Sequence, residues 1–317
     1  MKTKLIIAAV AIGVAAAVAW TLALRPGPSL IIPPPANNAY DVFMEAATRI
    51  DPGVDSWNDV DEEKLRGLVA ANAAALADVR RALDGESCVP IAVDDETIDP
   101  VQAALDRDKN VIRVGRAFLA ASRQAELDGD VAGNAATLVD LLRFSQAAAR
   151  GGLGVDCMRG AAFATAAQER LAEQAPSFDQ AVARSVLEQL AKIPLPAEDA
   201  ATVVDRDIAV VMNHHGAVDR LMLSTVVNSQ RQQSLKALEA VQDRVAVAAA
   251  VLKIRLAVRL FQLDNDRLPQ KLVELVPEYL PELPGDPAAD ADFEYEVDGD
   301  EYQLHRPPAN DLDDKDK

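Results

Sequence analysis

The sequence predicts a mainly α-helical protein with an N-terminal transmembrane helix, a body of helical hairpins and a small C-terminal α+β unit. Half of its 317 residues are apolar but only 4% are aromatic, so Ala, Val and Leu dominate, which suits closely packed helices. Apolar residues recur at helical spacing along most of the chain, and strand-like alternation is confined to its C-terminal end.

The leader, residues 1–24, has the pattern of a membrane anchor. Residues 5–24 carry no charge and no proline, and they can cross a hydrocarbon core of about 30 Å as a helix. Lys2 and Lys4 precede this run, so the charge bias keeps the N-terminus cytoplasmic. We expect a single-pass protein that contacts the bacterial inner membrane through residues 5–24, with its body on the periplasmic side. Ala17-Val18-Ala19 is an acceptable cleavage site, so the alternative is a body secreted into the periplasm after signal cleavage.

Charge and proline content set apart the two segments that flank the folded part. The spacer, residues 25–36, contains five prolines and is predicted to be extended and stiff. From residue 282 to 317, thirteen Asp and Glu stand against three Arg and Lys, a net charge of −10, so residues 307–317 are predicted to be a disordered acidic tail. The formal charge of −18 for the whole chain argues against a nucleic-acid partner, which would require clustered Lys and Arg, so none is expected.

The body, residues 37–234, is predicted to consist of helices. Asn37 or Asn38 caps the first helix, and Asp59 or Asp61 starts the second. The apolar positions of these two helices are Tyr40, Phe43, Met44, Ala47, Ile50, Leu65, Leu68, Val69, Leu76, Val79 and Leu83. A packed connector follows, and the next two helices form an antiparallel pair around a turn at residues 127–130. This pair is marked by Val111, Val114, Phe118, Leu119, Val131, Ala135, Leu138, Val139 and Leu142.

The glycines at 151, 152 and 154 break the helical pattern again. Neither phosphate-loop spacing, G-x-G-x-x-G or G-x-x-x-x-G-K, fits them, so a helix-to-helix turn is predicted. Further helices are predicted near residues 155–174, 178–192 and 199–223, followed by a long helix over 235–264.

The C-terminal unit, residues 235–306, combines that long helix with a hairpin. The chain reads AVRLFQLDNDRLP from Ala257, then LVELVPEYL, LPGDP, FEYEV and YQL. Pro269 ends the long helix, Leu272 and Leu275 lie on one face of a short helix, and 298–300 form a hairpin turn. This end resembles the globular end of the major pseudopilins of type II secretion, with their L-x-x-L helix, P-x-D-P loop and small antiparallel strands. The leader lacks the prepilin-peptidase pattern, so the resemblance implies a shared fold for this end and not filament assembly.

Over its whole length the chain resembles a broad group of uncharacterised exported proteins of planctomycete-type bacteria. The shared features are an apolar anchor, a proline-rich spacer, an N-A-Y-D entry into a helical body, here residues 38–41, and the pseudopilin-like end. The resemblance implies an extracytoplasmic address and no particular activity.

One histidine pair has a catalytic-looking context. His214-His215 with Asp219 matches the H-H-x-x-x-D core of acyl-transferring condensation domains, but Arg220 replaces the usual glycine and the chain is too short and too helical for that fold. We therefore expect a polar helix surface or helix end there. The sequence has no G-x-S-x-G, H-E-x-x-H or C-x-x-C motif, and it assigns no catalytic residue and no organic cofactor.

Five aspartates are weak candidates for a calcium site. Asp264 and Asp266 place carboxylates at alternate positions, and the resemblance to pseudopilins implies calcium in the C-terminal loops. The aspartates that could add ligands are Asp286, Asp290 and Asp292. The pattern lacks the glycine and closing glutamate of an EF-hand, so a helix-terminating turn is the alternative.

Cys88 and Cys157 are the only cysteines. Outside the cytoplasm they could form one disulfide that closes a long loop, and in a core of this size they could equally be two buried free thiols.

The predicted function is that of a membrane-anchored extracytoplasmic module, associated with the envelope or with secretion, that binds an unidentified envelope protein. The alternative is an extracytoplasmic hydrolase with its site in the helical body. Perturbed carboxylates clustered in a deep pocket would favour the hydrolase, and an apolar groove would favour the binding module.

Overall fold

The computed structural model describes residues 30–91, 100–213, 217–287, 289 and 291–307. These residues form eight α-helices and one two-stranded hairpin, which confirms the mainly α fold with a small C-terminal hairpin. The helices are α1 (Ala39–Arg49), α2 (Glu62–Ala82), α3 (Pro100–Leu127), α4 (Val131–Ala147), α5 (Gly154–Gln174), α6 (Gln180–Leu190), α7 (Ala200–Asn213) and α8 (Ala217–Asn265). The strands are β1 (Glu294–Asp298) and β2 (Glu301–His305), and short 3-10 turns occupy Pro52–Ser56, Ala175–Ser177 and Leu272–Leu275.

Side-chain caps fix where several helices begin. The Asn38 side chain accepts a hydrogen bond from the Tyr40 amide at the start of α1, and Asp61 accepts one from the Lys64 amide at the start of α2. Each cap satisfies an amide that has no partner within its helix. Of the alternatives predicted, Asn38 and Asp61 are therefore confirmed as the capping residues, and Asn37 and Asp59 are not the caps.

The α3–α4 hairpin turns where the sequence predicts. Gly129 has a φ of +69°, a left-handed conformation that glycine adopts without strain. The two helices are then joined by a buried hydrogen bond of 2.7 Å from Ser122 Oγ to Asn134 Oδ1. On the apolar side, the ring of Phe144 lies 5.4 Å from that of Phe43 and 5.9 Å from that of Phe118, measured between centroids.

One hydrophobic core runs through most of the described chain. It includes buried side chains of α1 to α6, of the second half of α8 and of the C-terminal end. Leu252, Leu256 and Leu260 are buried in it together with Leu275, as predicted for the C-terminal unit. The same core also contains side chains of α5 and α6, so it crosses the predicted boundary at residue 234.

The helix start predicted at residue 199 and the helix end predicted at residue 264 are confirmed to within one residue, but the boundaries predicted between them, at residues 223 and 235, are wrong. α7 ends at Asn213, and α8 runs for 49 residues from Ala217 to Asn265. Asn213, His214 and Gly216 are weak helix formers, which favours an end near 213.

The long helix also continues through a stretch where the sequence predicts a break. Residues 228–234 have no apolar face, but they include no proline or glycine that would interrupt helical hydrogen bonding. Arg231 in this stretch donates to Asp205 of α7 at 2.7 and 3.0 Å, which holds the two helices side by side. Contacts with α7 therefore stabilise a helical segment that its own periodicity does not predict.

The C-terminal end follows α8 as predicted from its turns. β1 and β2 pair antiparallel, with Tyr295 opposite Leu304 and Val297 opposite Tyr302, and these four side chains pack against the core. Gly299 in the connecting turn has a φ of +61°. The predicted hairpin is confirmed, and the predicted short helix is a 3-10 turn.

No helix within the described ranges is long and apolar enough to span a bilayer. The predicted anchor, residues 1–24, lies outside those ranges, as do the first residues of the spacer and most of the acidic tail.

Candidate functional site

The glycine turn between α4 and α5 is occupied by the protein's own carboxylates. The Gly151 amide donates to Glu198 Oε2 at 2.7 Å, and the Leu153 amide donates to Asp156 Oδ2 at 2.9 Å. The Gly154 amide, at the first position of α5, donates to Asp207 Oδ1 at 3.0 Å. These amides are the donors with which a helix N-terminus binds a phosphate. Because they are already bound, the predicted helix-to-helix turn is confirmed and the turn is not an anion site.

Arg206 of α7 locks this turn in place. Its side chain is fully buried, and its guanidinium donates to both carboxylate oxygens of Glu198, at 2.5 and 3.1 Å. The same guanidinium donates to the Gly152 carbonyl at 2.7 Å and to the Leu30 carbonyl at 3.0 Å. Residues near Leu30, predicted as part of the spacer, are therefore held against the body.

Two carboxyl groups near the turn have perturbed pKa values. Burial raises the pKa of Asp207 to about 6, although the Gly154 amide acts in the opposite direction. Burial also raises the pKa of Asp156, which Arg107 partly offsets from 3.5 Å. The Oδ1 atom of Asp156 and the Oη atom of Tyr40 are buried without a hydrogen-bond partner. None of these groups lines any of three open clefts on the surface of the described chain.

Both cysteines lie beside the same turn as free thiols. Cys88 Sγ donates to the Ile32 carbonyl at 3.5 Å, and Cys157 Sγ donates to the Ala149 carbonyl at 3.9 Å. Burial, with the nearby Glu198 carboxylate, raises the pKa of Cys157 to about 12. At neutral pH this thiol is protonated and unreactive as a nucleophile.

The calcium candidates are separated by their own partners. The buried Asp286 carboxylate accepts hydrogen bonds from Arg306 at 2.7 and 3.2 Å, and Asp264 accepts one from Gln180 at 2.7 Å. Asp266 is exposed, Asp292 is also exposed, and Asp290 lies outside the described residues. Within the described ranges, no three His, Cys, Asp or Glu side chains are grouped to hold a metal. Calcium binding stays a prediction from the sequence pattern.

The histidine motif cannot be assigned a geometry. His214 and His215 lie outside the described residues, and so does the side chain of Asp219.

A shallow groove between α4 and α6, called here the α4–α6 groove, is the most apolar of the three open clefts. Its cavity volume is about 350 Å³. The residues that line it are Ala132, Ala135, Ala136, Val139, Asp140, Arg143, Ala181, Val182, Ser185, Val186 and Gln189. Most of these side chains are small, so the surface is open to close approach by another helix or strand.

The groove continues past Arg143 and Gln189 into a wider cleft of about 650 Å³. Arg150 and Lys192 line this end, and both are exposed and without an ion-pair partner among the described residues. Arg143 is paired with Asp84 at 2.5 Å. The groove thus joins an apolar floor to a locally basic end on a protein of net charge −18.

A third cleft, of about 640 Å³, lies between the start of α2 and the C-terminal ends of α3 and α5. It is called here the Trp57 cleft, because Trp57 forms one wall. The guanidinium carbon of Arg170 lies 5.4 Å from the centroid of that ring. Its other lining residues are Asn58, Val60, Glu62, Leu65, Arg123, Glu126, Leu127, Glu173 and Gln174.

Comparisons of the chain with models of known protein families, with curated proteins and with solved structures found no match. The surfaces and the chemistry of this chain therefore carry the functional inference.

Neither the α4–α6 groove nor the Trp57 cleft is predicted by a sequence motif. Ala132, Ala135 and Ala136 at helical spacing are a signal for close helix packing, but such spacing is as common in a core. Trp57 and Arg170 are far apart in sequence, and only the fold brings them together. The candidate residues predicted from the sequence do not form a site in the described chain. The cysteines are free thiols beside the glycine turn, the described aspartates are separated, and the histidine pair lies outside the described ranges.

Proposed function

We propose that this chain is a membrane-anchored extracytoplasmic protein of the envelope that acts by binding another envelope protein. The α4–α6 groove is the observation that carries the proposal. It presents a mostly apolar floor to solvent, with Ala136 and Ala181 exposed and Val139 and Val186 at its base. This floor offers apolar contacts to a helix or strand of a partner.

The groove also indicates what kind of partner fits. Small side chains on both walls let a partner backbone come close, as an amphipathic helix does when it packs its apolar face into a groove. At the wide end, Arg150 and Lys192, which have no ion-pair partner in the described part of the chain, complement acidic side chains on the partner. The partner is therefore expected to carry an apolar stripe that ends in Asp or Glu.

The hydrolase alternative is less well supported by the same geometry. Asp156 and Asp207 are neighbouring carboxyl groups whose pKa values are raised. Such groups indicate an active site when they also line a cleft. However, both accept hydrogen bonds from backbone amides of the glycine turn, and neither lines the described clefts. Their environment is that of buried structural groups.

The association with secretion rests on the C-terminal end. A long helix, a short turn with Leu272 and Leu275, a looped segment and a hairpin follow one another in the order that the pseudopilin motifs predict. The proposed association with secretion rests on this order together with the sequence motifs of the C-terminal end.

The experiment places a photo-crosslinking amino acid at Ala136 or Ser185 of the full-length chain in intact envelopes. We expect one discrete crosslinked species that stays with carbonate-washed membranes and is digested by protease added from outside. The same amino acid at Ala73, exposed on α2, is the control and should give no such species.

Ala136→Arg should abolish the crosslink formed from Ser185, because a charged side chain would fill the groove floor. Unchanged crosslinking in that variant would contradict the groove as the binding site. Recovery of the mature chain as a soluble species would instead contradict the anchor.

A further inference from the structure

We infer that the Trp57 cleft is a binding site for a small zwitterion with an apolar side chain, of the chemical class of the free α-amino acids. This site is independent of the α4–α6 groove and shares no lining residue with it.

Five charged side chains line the Trp57 cleft. Glu126 is paired with Arg123 at 3.0 Å, and Glu62 is paired with Arg66 at 2.7 Å. These pairs leave one cation and one anion of the lining, Arg170 and Glu173, without an ion-pair partner in the described part of the chain. A ligand that carries one carboxylate and one ammonium group complements these two charges.

The Arg170 side chain stacks on the ring of Trp57. Its guanidinium lies against the face of Trp57, with 5.4 Å between the guanidinium carbon and the ring centroid. Stacking of this kind stabilises the cation and leaves its N–H donors free at the edge, where a carboxylate can bind them in a fork.

The spacing of Arg170 and Glu173 along α5 suits a small ligand. Arg170 and Glu173 are three residues apart on α5, so they project from one face of the helix as neighbours, with about 5–6 Å between their Cβ atoms. An α-amino acid carries its ammonium and carboxylate groups on the same carbon and can bridge such a pair. The apolar lining residues Val60, Leu65 and Leu127 lie in the same cleft and offer a surface to the ligand's side chain.

The fluorescence of Trp57 gives a direct test, because the chain contains only two tryptophans and the other is Trp20 in the leader. In the full-length chain carrying Trp20→Phe, titration with leucine should give a saturable change in emission. Two analogues of leucine separate the charges: N-acetyl-leucine keeps only the carboxylate, and leucinamide keeps only the ammonium group. Each should bind at least about tenfold more weakly than leucine, since one charge of the cleft is left unpaired.

Variants then assign each charge. Arg170→Gln should remove the preference for leucine over leucinamide, and Glu173→Gln should remove the preference for leucine over N-acetyl-leucine. Glu169→Gln is the matched control on the same helix, and it should retain both preferences because Glu169 does not line the cleft. Circular dichroism confirms that each variant is folded.

Three outcomes would overturn the inference. Leucine could produce no saturable change, the wild type could bind all three compounds equally, or the preference over leucinamide could survive in Arg170→Gln. The first outcome excludes this ligand class, and the other two show that Arg170 and Glu173 do not recognise the two charges.

Discussion

Asp207 shows how a single side chain in the buried centre links stability to pH. Its carboxyl accepts the Gly154 amide at the start of α5, yet burial dominates and raises its pKa from 3.8 to about 6. Between these two values the folded protein holds a proton that the unfolded chain has already released. Stability therefore falls as pH rises through this window, and it levels off above about pH 6.

We predict that Asp207→Asn flattens this dependence. In the wild type, the free energy of unfolding should fall by about 2 kcal/mol between pH 4 and pH 6 on account of this group. Asp156, whose pKa burial also raises, adds a slope of the same sign, so the flattening is partial. Urea unfolding at several pH values measures the effect.

The control is Asp199→Asn. Hydrogen bonds from Thr202 lower the pKa of Asp199, so its contribution has the opposite sign and is lost as pH falls. This variant should keep the wild-type decline between pH 4 and pH 6. An equally steep decline in Asp207→Asn would show that the group does not titrate as inferred.

At the scale of elements, one buried cation joins α7 to the glycine turn and to the chain near Leu30. Arg206 binds Glu198, the Gly152 carbonyl and the Leu30 carbonyl at once. The pairing satisfies two charges that would otherwise be costly in the interior. α7 is thereby positioned through hydrogen bonds as well as through its buried apolar side chains.

We predict that Arg206→Met destabilises the fold by about 3–5 kcal/mol, because it leaves the Glu198 carboxylate inside without a cation. Arg231→Met removes the partly exposed pair with Asp205 at the next contact of α7, and it should cost less than about 1 kcal/mol. The midpoint of urea unfolding distinguishes the two. Equal effects of both variants would mean that Arg206 contributes no more than a surface pair.

How far the sequence predicts these elements depends on where their signals lie. The caps at Asn38 and Asp61, the turn at Gly129 and the hairpin at Gly299 are local features, so the sequence locates them correctly. The signal for the start of α8 is not local. Contacts with α7, such as the ion pair between Arg231 and Asp205, stabilise the helix through a polar stretch.

The α4–α6 groove and the Trp57 cleft could not be predicted from the sequence, because each depends on contacts between distant segments. The α4–α6 groove depends on how two helices separated by all of α5 lie against one another, and the Trp57 cleft joins three separate segments. Conversely, the glycine turn looked like a site in sequence, but contacts from Glu198 and Asp207 satisfy its amides.

At the scale of the whole molecule, a continuous core connects the predicted body to the predicted C-terminal unit. Leu256 is fully buried in a cluster that also holds Phe144 of α4 and Leu171 of α5. Because they share this core, we expect the two parts to unfold together.

We predict that Leu256→Asp lowers the free energy of unfolding by several kcal/mol, because it buries an unpaired charge. Trp57 fluorescence and far-ultraviolet circular dichroism should report one coincident transition, shifted equally by the substitution. Val273→Asp, at a side chain that is 62% exposed, should change stability by no more than about 0.5 kcal/mol. Loss of C-terminal structure with an unchanged Trp57 transition would show that the two parts fold independently.

The hydrogen bond from Arg206 to the Leu30 carbonyl also limits the length of the proposed membrane tether. A free spacer of residues 25–36 would reach about 40 Å when fully extended. Because Leu30 is fastened to the body, only residues 25–30 separate the apolar run from that attachment, and they span about 20 Å at most. If the leader stays in the bilayer, the face of the molecule around Leu30 must remain within about 20 Å of the end of the membrane-spanning helix.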